Sequence, residues 1–293
     1  MDFIGNRKSF SILQKSLRSN SLSHAYIFSG PQRVGKFTLA KLFALHAISG
    51  TEMNSDINDF SKDALLDLII VFPEILEKKG ISKQREISIE SIREAKKALS
   101  LFPYHGKYKV MIIDDSHKLN ISAQNALLKI LEEPNPTTII ILVTHEIDRI
   151  LPTIQSRLQI IKFSLINDEE MKINFPKDIV YLSAGRPGLA KIINENEEEK
   201  SFRSEAINGF NKIIKGSIND KLMLAEELSK DITKTIEKLD IWLWEMRKKA
   251  MLSNEAECKK IYTDMEKIRK NEEILKNTNA NPRLVLETLF MDI

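Results

Sequence analysis

Cysteine is almost missing from this chain: Cys258 is the single one in 293 residues. One thiol excludes an internal disulfide and any metal site built on several thiolates, and it fits a reducing compartment. Long apolar runs are missing as well. No stretch reaches the ~18 consecutive apolar residues of a membrane-spanning helix. The opening MDFIGNRKSFSILQKSL alternates polar and apolar residues and lacks the unbroken apolar core of a signal peptide, so a cytoplasmic chain with no membrane partner is expected. Charge of one sign is the third absence. The 44 basic and 41 acidic residues leave a net +3, short of the excess expected of a protein that grips duplex DNA by itself. A nucleic-acid partner would then be met through a local stripe or within an assembly. What remains is ordinary for a globular protein, with 42% hydrophobic and 29% charged residues. The length suits two or three domains.

Along the first half, short apolar runs alternate with helical patterns. His24 to Ser29, Asp67 to Phe72, Lys109 to Ile113, Thr138 to Thr144 and Ile160 to Phe163 read as strands. Phe37 to Ala47, a basic segment Arg93 to Leu101 and Ile121 to Glu133 read as helices, and Ser49 to Lys62 as a loop. Near-continuous apolar strands separated by helices predict a parallel sheet covered on both faces. After about Ser164 the strand signals stop, and a Lys/Glu/Leu/Ile-rich helical pattern runs to the end. The expected division is an α/β domain over 1–164, a small helical domain over 165–200 and an all-α domain over 201–293.

Gly30 to Phe37 reads GPQRVGKF between a strand and a helix, the G-x-x-x-x-G-K pattern of a phosphate loop in its proper context. Glycines such as Gly30 and Gly35 let backbone N–H groups converge on phosphate oxygens. Lys36 adds a point charge, and the helix start adds its dipole. The last position is altered, because Phe37 stands where Ser or Thr offers magnesium a hydroxyl. Thr38 follows, but one helical step turns it about 100° away. Val110 to Asp115 is an apolar strand ending in two acids. Asp114 is the candidate magnesium ligand, and Asp115, one methylene shorter than the usual Glu, stands where the attacking water is polarised.

Ile112 to Pro136 (IIDDSHKLNISAQNALLKILEEPNP), Thr138 to Thr144 and Pro152 to Leu158 (PTIQSRL) together resemble the core of the AAA+ subunits of bacterial DNA polymerase III clamp loaders. The resemblance spans roughly residues 5–200. LLKILEEP and Ser156–Arg157 are its most specific parts, while DLIIVFPE (Asp67 to Glu74) and FPYHGKYKV (Phe102 to Val110) are closer to the delta-prime branch than to the ATP-hydrolysing gamma branch. The resemblance implies an AAA+ phosphate-loop domain, a helical lid and a helical collar. It also implies a hetero-oligomer with gamma/tau and delta subunits that acts on a sliding clamp and primer–template DNA, as part of a DNA-directed DNA polymerase holoenzyme. Thr144 stands at the sensor-1 position, and Arg157 at that of an arginine finger reaching a neighbour's nucleotide.

Three departures qualify it. The four cysteines that hold a structural zinc in many members are missing between His46 and Pro73, so no zinc is implied. Leu158 replaces the cysteine after Ser156–Arg157. In AGRPGLA (Ala184 to Ala190) the sensor-2 arginine slot holds Gly188, and Arg186, two residues away, is not given that role. No catalysis by the chain alone is implied, and weak ATP or ADP binding at a degenerate loop, with or without magnesium, is left open. Two other readings stay open, an active motor of the gamma type and a scaffold with a vestigial site. Lys78 to Arg93 reads as a solvated helix and loop face. His105 and His117 read as isolated surface or turn residues, and Glu195 to Lys200 as a solvated helix or linker. Trp242 and Trp244 sit on one helical segment, so at least one ring belongs to a packing surface.

Overall fold

A computed structural model describes residues 3–53, 62–78, 81–84, 86–104 and 106–293. The chain forms two compact units, Met1–Ala190 and Lys191–Ile293. In chain order the strands are β1 (Ala25–Ser29), β2 (Leu68–Val71), β3 (Ile75–Lys78), β4 (Ile81–Gln84), β5 (Lys109–Ile113), β6 (Thr138–Thr144) and β7 (Gln159–Lys162). Five of them make a wholly parallel sheet in the order β2-β5-β6-β1-β7, and β3 and β4 pair antiparallel by themselves.

The period of two along a strand divides the apolar residues between the sheet's faces. Tyr26, Phe28, Val110, Ile112, Ile139 and Ile141 pack on one side, with Leu13 of α1 (Arg7–Arg18) and Leu39, Leu42 and Phe43 of α2 (Lys36–Ser49). Ala25, Ile27, Met111, Ile113, Ile140 and Leu142 pack on the other, with Ile92 of α3 (Ile89–Leu99) and Leu127 of α4 (Ile121–Glu132). Burial on both faces is why these strands read as apolar runs rather than as alternations. The unit continues through α5 (Pro152–Gln155), α6 (Asp168–Met171) and α7 (Lys177–Ser183), and α8 (Pro187–Glu195) leads out of it.

The structure differs from the sequence reading in two places. Helix α1 was not expected: the polar–apolar alternation of the first residues hides a second spacing, Phe10, Leu13 and Leu17, which lines a helical face packed into the core. In Lys78 to Arg93, expected as helix and loop, the β3–β4 pair occupies the first part. Helix α3 then starts at Ile89 rather than Arg93, because the Ser88 hydroxyl caps it by accepting from the Ser91 amide at 3.3 Å. The Ser49 to Lys62 loop lies mostly outside the described residues. The flanking chain shows α2 running to Ser49 and closed by Gly50 in the left-handed region, φ 66°.

Asp67 is fully buried just before β2, and its carboxylate accepts from the Tyr104 amide at 2.7 Å and the Gly106 amide at 3.2 Å. The two short motifs around Asp67 and Phe102 are thereby one structural unit.

The second unit consists of α9 (Glu197–Lys215), α10 (Ile218–Leu228), α11 (Ile232–Leu252), α12 (Glu255–Asn277) and α13 (Pro282–Asp292). Asn196 caps α9, and the Ser217–Asp220 capping box opens α10. The core gathers around Trp242, whose ring lies 5.6 Å from that of Phe290 and whose Nε1 donates to the Ala206 carbonyl at 2.7 Å. Trp244 is half-buried. No helix among the described residues is long and apolar enough to cross a membrane.

Candidate nucleotide site

A parallel sheet aims the carboxyl ends of its strands at one edge, and loops leaving that edge carry ligand sites in α/β folds. Here β1 runs into the loop Gly30–Gly35, β5 into Asp114–Asp115 and β6 ends at Thr144. Ser29 pairs with Thr144 and Ile113 with Leu142, which brings these three ends to the same edge.

The loop depends on its glycines. A Cβ on Gly30 would lie 2.3 Å from the Phe163 carbonyl oxygen, and Gly35 precedes α2 at φ 91°. Between them Arg33, which has a side chain, is left-handed at φ 59°. Lys36 is buried, and its Nζ donates to the Gly30 carbonyl at 2.8 Å and the Pro31 carbonyl at 2.5 Å. The ammonium therefore closes on its own loop, where a phosphate-binding lysine reaches outward. Burial lowers its pKa to about 8 against the pull of Asp114 and Asp115, and the nearby Arg186 guanidinium pushes the same way as burial.

Phe37, at the sequence position where the loop pattern has Ser or Thr, packs its ring 5.6 Å from that of Phe72, tilted by 49°. Thr38 is exposed. Asp114 has its carboxyl pKa raised, by burial first, although the Asp115 amide donates to its Oδ1 at 3.0 Å. Asp115 is itself left-handed, φ 45°, and its Oδ2 lies 3.4 Å from Lys118 Nζ. Thr144 is buried, and its Oγ1 accepts from the Glu146 amide at 3.0 Å.

The structure therefore gathers Gly30, Gly35, Lys36, Asp114, Asp115 and Thr144 at one sheet edge. Arg157 is not among them. It follows α5 on the surface, donating to the Thr153 carbonyl at 2.8 Å and pairing with Glu132 at 3.0 Å. Its neighbour Leu158 is buried against the α4 side of the sheet. Gly188 has a packing reason of its own: its amide donates to the Arg33 carbonyl at 2.9 Å, and an added Cβ would come within 2.9 Å of that oxygen.

His117 requires a correction. It is not isolated, because its ring meets that of His145 edge to face with centroids 4.1 Å apart, and Asp115 completes the group. The β5–β6 register brings together residues 28 positions apart, which no local pattern shows. Burial lowers the pKa of both imidazoles, that of His117 to about 4. Their nitrogens and the Asp115 carboxylate are the groups here able to hold a metal. His105 lies outside the described residues.

These features define a phosphate-loop α/β domain with Phe37 in the sequence position where the loop pattern has Ser or Thr. The family described as DNA polymerase III, delta subunit, matches residues 5–167, and the chain belongs to it. It is similar to the DNA polymerase III subunit tau of Bacillus subtilis, 34% identical over 57% of this chain and 29% of that protein. It is also similar to the delta' subunit of Pseudomonas aeruginosa, 24% identical over 67% of this chain and 63% of that one. Thus the chain spans well under half the length of the tau relative and just under two thirds of the delta' relative. A gamma subunit-related protein of Thermotoga maritima aligns over 97% of this chain and 98% of that one, with 17% identity and a TM-score of 0.48.

Proposed function

We propose that this chain is a delta-prime-type subunit of a DNA polymerase III clamp loader, one that does not turn over ATP itself and lends Arg157 to a neighbouring subunit's ATP site. The observation that carries the reading is the Phe37–Phe72 aromatic pair at the hydroxyl position, 5.6 Å between rings. It removes a magnesium ligand from this chain's own site, while Arg157 keeps its guanidinium at the surface. A finger of this kind stabilises charge developing on the transferred phosphoryl group and is worth about 10³–10⁵ in rate in related systems. The partners of the proposal are gamma/tau and delta subunits, with sliding clamp and primer–template DNA met inside the complex. Residues 1–164 form its nucleotide-binding-type domain, 165–200 the lid and 201–293 the collar.

ATP turnover by the isolated chain tests the first half. It is expected to be negligible, and a kcat near ~1 s⁻¹ or above, within the ordinary enzyme range, would replace this reading with that of a motor.

A further inference from the structure

Asp115, His117 and His145 each present a ligating atom within 4.8 Å of the others. Buried ring nitrogens normally have a partner. His117 Nδ1 is buried and has no hydrogen-bond partner among the described residues. His145 is held from behind: its Nε2 lies 3.2 Å from Glu146 Oε1, and its Nδ1 lies 3.8 Å from Asp115 Oδ1. Gln32 Nε2 lies 3.5 Å from His145 Nδ1 and 2.8 Å from its Nε2, so the ring can take either tautomer; in the one with the proton on Nε2, beside Glu146, Nδ1 directs its lone pair at the Asp115 carboxylate. That tautomer needs the Gln32 amide turned so that its oxygen, not the nitrogen, faces Nε2 at 2.8 Å.

In that tautomer two lone pairs face each other with no proton between them, and a cation bound there would remove the repulsion. Ligand atoms ~2.0–2.2 Å from a tetrahedral zinc lie about 3.4 Å apart, so the Asp115–His145 pair needs to close by only a few tenths of an ångström. Lys118 holds the other oxygen of Asp115 at 3.4 Å, which leaves Oδ1 for the metal. Glu146 on the far nitrogen completes the carboxylate–histidine–metal relation that orients ligating imidazoles.

We propose that Asp115, His117 and His145 form an open, three-ligand site for a divalent transition metal of the zinc class, with the remaining position left to solvent or an anion. Two imidazoles select such a metal over magnesium, which prefers six oxygens. This site is distinct from a closed four-cysteine zinc between His46 and Pro73, for which the chain lacks ligands.

Titration of the full-length chain with Co²⁺, read by visible d–d absorption, and with Zn²⁺, read by calorimetry, tests the proposal. One equivalent is expected, unchanged in Cys258→Ser and not displaced by excess Mg²⁺. Glu146→Gln should weaken it about 10–100-fold, and His117→Gln or His145→Gln should abolish it. Each variant's melting curve is recorded. Because His117 is buried, the half-buried His145→Gln carries the test if His117→Gln does not fold. No saturable binding by wild type, displacement by Mg²⁺, or one equivalent persisting in His145→Gln would each overturn the assignment.

Discussion

Lys36 is the residue whose placement sets this loop apart. Its charged amine is sequestered against the Gly30 and Pro31 carbonyls of the loop, and burial brings its pKa down to about 8. The unfolded chain holds that proton up to the ordinary 10.5. Between those two values the unfolded state binds more protons, so this group makes folding stability rise with pH across the window. Below about 8 both states are charged and the burial penalty stands in full. Relative to Lys36→Met, wild type is expected to gain stability from pH 8 to 10.5 and to keep a constant difference from pH 6 to 7.5. Urea midpoints of the two proteins across this range check it, and a difference that stays flat throughout would contradict the buried-lysine account. The loop's residues were legible because G-x-x-x-x-G-K is local. The Phe37–Phe72 pair was not, because Phe72 reaches the loop from a different strand end.

Element by element, the chain's legibility follows how local the cause is. Strands β5 and β6 match their expected bounds because both of their faces are buried and their runs are continuous. Helix α1 and the β3–β4 pair escaped because one shows two spacings at once and the other is defined by its partner. The His117–His145 pair escaped for the same reason, since only the sheet register brings it together. Gly188 is the case where a missing side chain has a meaning at this scale. The start of α8 lies against the phosphate loop through the Gly188–Arg33 bond of 2.9 Å. Gly188→Ala is therefore expected to destabilise the α/β unit by about 1–3 kcal/mol, the usual range for overpacking, despite alanine's better helix propensity. Thermal or urea unfolding measures it, and a neutral or stabilising effect would show that the loop and helix can part at little cost.

For the whole molecule, the two compact units make a division of labour testable. A chain ending at Glu195, the last residue of α8, keeps the sheet and both its covered faces and is expected to fold, as judged by its melting curve. If residues 201–293 are a collar, that fragment is expected to lose association with the other loader subunits. Assembly at full affinity would contradict the collar. Whether this chain serves a neighbour's nucleotide rather than its own is decided by two substitutions in one reconstituted loader. Among the described residues Arg157 is tied to the surface by Thr153 and an exposed pair with Glu132, and such pairs contribute about 0–1 kcal/mol, so Arg157→Ala is expected to leave folding and assembly intact. Arg157→Lys is expected to fall short of full rescue, because a point charge does not reproduce the planar fork. The measurement is steady-state ATP turnover of the loader with Arg157→Ala beside the loader with Lys36→Ala: the account predicts a clear loss for Arg157→Ala and little change for Lys36→Ala, and the reverse pattern would contradict it.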